Sequence, residues 1–264
     1  MAKFARFAYR DAVHYGLLEG ADTLRVIHGD IFGEWGASEM TVPLGEARLL
    51  APVAPPNVIA IGLNYRKHAE ESGSAIPVRP IIFIKATTTV CNPGDPIMLP
   101  TMAPDEVDYE CELVIVIGKR AKHVTADQAL DYVLGYTCGN DVSARDCQTR
   151  LDTQWARGKS FDTFAPLGPW IETDLDPDHV RVMSRLNGQV MQDSNTADLI
   201  FSCRELIAYL SDAMTLLPGT VIFTGTPSGV GFARKPPVFL RPGDTIEIEI
   251  EGIGTLTNPV IAEP

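Results

Sequence analysis

Two glutamates, Glu110 and Glu112, stand two residues apart in the run Asp108–Gly118, which continues as Leu113-Val114-Ile115-Val116-Ile117. Its β-branched residues and closing glycine predict a strand. Side chains alternate across a strand, so Glu110, Glu112, Val114 and Val116 share one face, and Tyr109, Cys111, Leu113, Ile115 and Ile117 the other. Both faces of the second half are apolar, which predicts burial on two sides. Carboxylates entering such a face need neutralising, because an unpaired buried charge is costly. The pair therefore reads either as a set of metal ligands or as a strand end emerging into solvent. Asp141, just beyond another strand-like run, is placed either as a third ligand or as a turn-capping residue. Two glutamates and an aspartate form an oxygen-only set, which suits Mg²⁺ or Mn²⁺ rather than zinc. The last strand-like run is a useful contrast: Glu247, Glu249 and Glu251 alternate with Ile246, Ile248 and Ile250, the pattern of an ordinary half-exposed strand.

His68 and Glu71 follow Asn64, a residue able to cap a short helix. On that helix they stand at i and i+3, either as a base with its orienting carboxylate or as a common surface pair. The Gly/Ser/Pro segment 72–77 behind them suits an element that opens and closes over a site. Lys159 lies in Gly-Lys-Ser, but the GxxxxGK[ST] phosphate loop is absent because position 153 is Thr. Thr224–Gly231 is glycine-rich without being GxGxxG, and its amides are suited to holding a carboxylate. Arg10, Arg120, Arg234 and Lys235 read as solvated surface charge.

The elements that must position these groups are mostly strands. Short β pieces fill residues 3–50, and the proline-dense segment 51–57 cannot continue a helix or a central strand. This divides the chain into a small β-rich N-terminal unit, 1–54, and a larger catalytic unit, 55–264. Capping boxes predict helices starting at Thr125, running through Val133, and at Ser202. Asn187-Gly188 predicts a type I′ hairpin. Few strand–helix–strand alternations occur, so the expected class is α+β, mainly β. The net charge of −12 disfavours a nucleic-acid partner. An anionic ligand must then meet local positive charge or a cation. No run of 18 apolar residues and no signal-like h-region are present. With five cysteines and no CxxC pair, the expected setting is reduced and cytoplasmic, away from membranes.

Taken together, Gly62–Glu71, Asp108–Gly118, Gly139–Asp146, Gln154–Thr163 and Thr224–Gly231 resemble, in order, the motifs of the fumarylacetoacetate hydrolase superfamily. The resemblance implies a mixed β-sandwich roll, a homodimer, and Mg²⁺ or Mn²⁺ held by Glu110, Glu112 and Asp141. It also implies Lys159 and Thr163 beside the metal, His68 and Glu71 on a lid, and Arg145, Gln148 and Thr226 on the carboxylate of a small anionic oxo acid. The larger N-terminal domain and extra aspartate ligand of the fumarylacetoacetate enzyme itself are not found. The chain instead resembles the shorter branch, which includes acylpyruvate hydrolases, oxaloacetate decarboxylases and hydroxydienedioate isomerases. The expectation is a metal-dependent hydrolase cleaving a C–C bond in a 2,4-dioxo acid, or an isomerase, tautomerase or decarboxylase using the same enolate chemistry.

Overall fold

The structure is a computed structural model that describes residues 2–264. Five strands open the chain: β1 (Lys3–Tyr9), β2 (Ala12–Glu19), β3 (Thr23–Gly29), β4 (Trp35–Pro43) and β5 (Arg48–Leu50). Next come β6 (Val58–Gly62), helix α1 (Arg66–Glu71), β7 (Ile81–Lys85), β8 (Val90–Cys91), β9 (Ile97–Leu99) and β10 (Val107–Asp108). The middle of the chain holds β11 (Cys111–Ile117), β12 (Val133–Asn140), β13 (Ser143–Ala144), α2 (Ala156–Lys159) and β14 (Ala165–Glu172). It closes with β15 (Arg181–Leu186), β16 (Gln189–Asn195), α3 (Cys203–Ala213), β17 (Val221–Phe223), β18 (Thr245–Ile250) and β19 (Gly254–Ala262).

One large mixed sheet runs β4-β3-β2-β1-β14-β12-β11-β17-β6-β7, and a second runs β16-β15-β18-β19-β9. This is the α+β, mainly β architecture the sequence predicts. The N-terminal strands extend the large sheet, because β1 pairs with β14 with Lys3 opposite Glu172. They also carry a cluster of their own, Ala5, Phe7, Leu24, Val26 and Val42.

Strand β11 lies at the centre, and all seven of its residues are buried. Cys111, Leu113, Ile115 and Ile117 face the second sheet, packing in one core with Ile246, Ile248, Ile250 and the α3 residues Leu206, Ile207 and Leu210. Val114 and Val116 join Val58, Ala60 and Phe223 in the core on the other face. Burial on both faces keeps the carboxylates at the strand's N-terminal end out of bulk solvent.

The expected hairpin is present, with Asn187 at φ 51° and Gly188 at φ 80°, as a type I′ turn requires. So is the Ser202–Glu205 capping box of α3. Two local expectations are overturned. Thr125 turns its hydroxyl to the Gln128 side chain, and only a 3₁₀ turn at Ala129–Tyr132 forms before β12 begins at Val133. The strand's pairing with β11 takes over residues a longer helix would need. Asn64 does not cap α1, whose N-cap position is Tyr65. Its amide is instead fully committed to tertiary partners, donating to the carbonyls of Phe201 and Thr224 and accepting from the Phe201 N–H.

Candidate active site

The β11–β12 pairing assembles the acidic centre. Cys111 lies opposite Asn140 and Glu112 opposite Gly139. The Asn140 side chain accepts from the Glu110 N–H at 2.9 Å, and the Asp141 N–H donates to the Glu110 carbonyl at 2.9 Å. Gly139 leaves room here, since a Cβ on it would stand 2.4 Å from Val114 Cγ2 and 2.5 Å from Phe223 Cε1. As a result Glu110, Glu112 and Asp141, all buried, bring carboxylate oxygens within 4.8 Å of one another.

Two buried lysines meet this cluster. Lys159, at the end of α2, donates to Glu110 Oε2 at 2.6 Å and Asp141 Oδ2 at 2.7 Å. Lys85, closing β7, donates to Asp141 Oδ1 at 2.5 Å. Burial would raise the Glu110 carboxyl, but Lys159 and Arg145 outweigh it and hold the group at about 2. Burial likewise opposes the Lys159 charge, and Asp141 with Glu110 overrides it and raises the ammonium. Lys85 is lowered to about 8 by burial, against the pull of Asp141. Glu112 differs: burial first, then the Asp141 and Glu110 charges, push its carboxyl well above the usual range, and the Gly225 N–H at 2.7 Å is its hydrogen-bond donor. A cluster with one carboxyl so poorly compensated fits a hard divalent cation, the partner an oxygen-only set prefers.

Arg145 is held on three sides. Nε donates to Asp108 Oδ2 at 2.9 Å, Nη2 reaches Glu110 Oε1 at 2.8 Å, and Nη1 donates to Gln148 Oε1 at 2.8 Å. Asp108, fully buried, also accepts from the Gly231 and Phe232 N–H groups. The Thr226 hydroxyl donates to the Cys111 carbonyl at 3.1 Å and accepts from Gln192 Nε2 at 2.7 Å. Thr163, expected beside the metal, instead accepts the Met98 N–H at 2.8 Å.

On α1, His68 Nδ1 lies 3.1 Å from Glu71 Oε1, and Glu71 accepts the Gly229 N–H at 3.1 and 2.9 Å through its two oxygens. His68, Glu71, Glu110, Glu112, Arg145, Gln148, Lys159 and Thr226 all line one cavity of about 530 Å³. Its outer wall is apolar. Phe83 meets Trp155 edge-on at 5.7 Å, and Lys159 Nζ stands 5.1 Å from the Phe83 ring. Gly62 gives the Trp155 ring its place in this wall, because a Cβ there would lie 2.4 Å from Trp155 Cζ3 and push the ring aside.

Lys85, Asp108, Asn140 and Gln192 carry no role in the sequence reading, although each is a polar group in or beside an apolar run. Arg234 is a correction. It is half-buried rather than solvated, with Nη2 on the Met191 carbonyl at 2.5 Å and Nε on the Gly229 carbonyl at 3.3 Å.

Residues 57–261 match the fumarylacetoacetate (FAA) hydrolase C-terminal family, and residues 2–52 match an N-terminal family described as Rv2993c-like. The chain belongs to the fumarylacetoacetate hydrolase family. It is 51% identical over 232 residues to a fumarylacetoacetate hydrolase domain-containing protein 2 homolog of Dictyostelium discoideum, covering 83% of this chain and 76% of that one. It is 46% identical over 224 residues to the mitochondrial oxaloacetate tautomerase of Rattus norvegicus, covering 83% and 71%. The crystal structure of 2-hydroxyhepta-2,4-diene-1,7-dioate isomerase from Mycobacterium marinum superposes with a TM-score of 0.90 at 42% identity, over 100% of this chain and 99% of that one. The chain is an enzyme of this family, and its buried acidic triad is suited to a metal ion. No helix among the described residues is long and apolar enough to cross a membrane.

Proposed function

We propose that this enzyme enolises a small 2-oxo acid, with oxaloacetate the best-supported substrate and keto–enol tautomerisation the reaction. One observation carries the reading: a histidine–carboxylate pair shares a cavity with Glu110 and Glu112 of the buried carboxylate triad and with the two buried cations Arg145 and Lys159. The names of the relatives, an oxaloacetate tautomerase and a dienedioate isomerase, support proton transfer next to a 2-oxo group. Glu110, Glu112 and Asp141 would hold Mg²⁺ or Mn²⁺, which when bound supplies Lewis-acid polarisation of the substrate's 2-oxo group.

The remaining chemistry falls to the chain's own residues. With Nδ1 engaged by Glu71, His68 is in the tautomer whose Nε2 accepts a proton. His68 would take the proton from C3 on Nε2 and deliver it to the 2-oxo oxygen as the enol forms, so that no proton is gained or lost overall. Lys159 and Arg145, both fixed by carboxylates, offer positive charge to the anionic substrate and to the oxygen on which charge develops. Phe83 and Trp155 exclude water from the side where the enol would otherwise exchange protons with solvent.

A second reading keeps the same site for C–C hydrolysis of a 2,4-dioxo acid, His68 acting on water. The cavity of about 530 Å³ favours it, being roomier than a four-carbon acid needs. The test is a product assay on protein loaded with Mg²⁺ or Mn²⁺, against oxaloacetate, acetylpyruvate, fumarylpyruvate and a hydroxydienedioate. Faster oxaloacetate tautomerisation, abolished by chelator and reduced ~10²–10⁴-fold in His68→Ala, is the expected result. Acetylpyruvate cleavage without tautomerisation would shift the assignment to hydrolysis. A protein that binds the ion but neither oxalate nor any of these acids holds a structural cation, and the enzymatic reading of this site fails.

A further inference from the structure

The glycine loop that docks Glu71 is itself clamped from behind. Gly229 has φ +99°, and a Cβ on it would lie 2.3 Å from the Met191 carbonyl, so the loop presses directly on β16. Arg234 bridges the two, donating Nε to the Gly229 carbonyl and Nη2 to the Met191 carbonyl. The Tyr109 hydroxyl donates to the same Gly229 carbonyl at 3.3 Å. On the front of the loop, Gln192 donates to Thr226 Oγ1 and to the Pro227 carbonyl. Gly229 is therefore gripped through the peptide that follows it, at its carbonyl and its β16 neighbour, while the N–H of the peptide before it faces the Glu71 carboxylate. Glu71 in turn faces His68 Nδ1.

We infer that Arg234 is a positioning residue for His68, acting through the backbone torsions of Gly229 and through Glu71, with Tyr109 as its auxiliary. The inference rests on His68 being the base proposed above. Glu71 docks on one backbone N–H, so the direction of that N–H fixes where the carboxylate stands. A guanidinium reaches two carbonyls from one planar group, which an ammonium does less well. Without it the loop still lies on β16, held by Gln192, but the freed carbonyl lets the Gly229 φ and ψ relax, and the N–H on the other side of its Cα turns with them. The His68 imidazole then loses the acceptor that selects its tautomer.

The test uses the full-length, metal-loaded protein and its Arg234→Ala, Arg234→Lys and Tyr109→Phe variants, alone and combined with His68→Ala. Arg234→Ala should lower kcat by about 10–100-fold with KM nearly constant, since misplacing a reacting group costs that much. Arg234→Lys should recover part of the loss, and Tyr109→Phe should cost less than either. In the His68→Ala background, Arg234→Ala should cost nothing further. Long-range ¹H–¹⁵N spectra of His68 should change from a single Nδ1–H tautomer to a mixture, as in Glu71→Gln. Oxalate binding to the metal-loaded protein should stay within about twofold, showing that Arg234→Ala is folded. Equal losses with and without His68 would overturn the inference, as would an unchanged His68 spectrum. A His68-dependent enzyme indifferent to Arg234 would refute this inference alone; an enzyme indifferent to His68 refutes the proposed base and the positioning role with it.

Discussion

Replacing Glu112 with Gln should make the metal-free protein more stable and the metal-loaded protein less so. The Gln side chain retains an oxygen for the Gly225 N–H, which donates to Glu112 Oε2 at 2.7 Å. What it removes is a buried charge beside Glu110 and Asp141, with ligand oxygens within 4.8 Å. Unit charges at that separation repel by about 3.5 kcal/mol each at an effective dielectric of 20. The attraction of Lys159 offsets part of this. A net gain of about 1–3 kcal/mol remains for Glu112→Gln in chelator at pH above the ordinary carboxylate range, where the unfolded carboxyl is ionised and the folded one must bury that charge or take up a proton. For a chain of this size that is an upward shift of roughly 3–8 °C in Tm. In the wild type, Mn²⁺ at about 100 times its Kd should add about 2.7 kcal/mol, an increment the variant largely loses. Thermal unfolding with and without chelator therefore gives an ordering that reverses between the two conditions. A variant less stable than wild type in chelator, or one stabilised equally by Mn²⁺, would refute the claim that Glu112 is the strained ligand of this cluster.

Asn64→Ala should destabilise the fold by about 2–4 kcal/mol in urea unfolding, because it orphans the buried Thr224 carbonyl and the Phe201 N–H and carbonyl together. Gly139→Ala should cost about 1–3 kcal/mol by overpacking Val114 and Phe223, and should weaken Mn²⁺ binding in titration calorimetry because Glu112 pairs with this position. All five cysteines are buried and free, and Cys91 and Cys203 are pushed up to about 12 by burial, so native protein should resist a thiol reagent until it unfolds.

Much of this site was legible because its central strand obeys a rule that its imitator does not. Glu110 and Glu112 precede residues buried on both faces, whereas Glu247 and Glu249 alternate with buried isoleucines and stay half-exposed, Glu249 pairing with Arg185. The His68–Glu71 spacing likewise produces its contact because i and i+3 adjoin on any helix. What escaped sequence reading was set by distant chain. Asn64 looked like a cap and became a bridge between β17 and the segment before α3, since buried carbonyls there outcompete a solvent-exposed helix start. Lys85 ends an apolar strand with no local sign that Asp141 lies opposite, 56 residues away. Arg234 sits next to Lys235 and two prolines, the composition of a surface turn, and only the fold reveals the carbonyls it grips.

The charges at the centre constrain the chemistry further. Asp108, Glu110, Glu112 and Asp141 supply four carboxylates, against the three buried cations Lys85, Arg145 and Lys159. With every carboxyl ionised, this polar core retains one negative charge, inside a chain whose net charge is −12. A dianionic oxo acid entering it would be repelled, because each of the three cations is already paired with a carboxylate. A divalent ion held by the triad would reverse that sign, taking the core from −1 to +1 and giving the carboxylate and 2-oxo oxygen of an oxo acid a favourable field. Substrate affinity should therefore depend on the ion more steeply than folding does. Oxalate should bind the Mn²⁺-loaded protein and fail to bind in chelator even where the fold is intact. Equal oxalate affinity in both conditions would show that Lys159 and Arg145 suffice alone and that the carboxylate triad serves some other purpose.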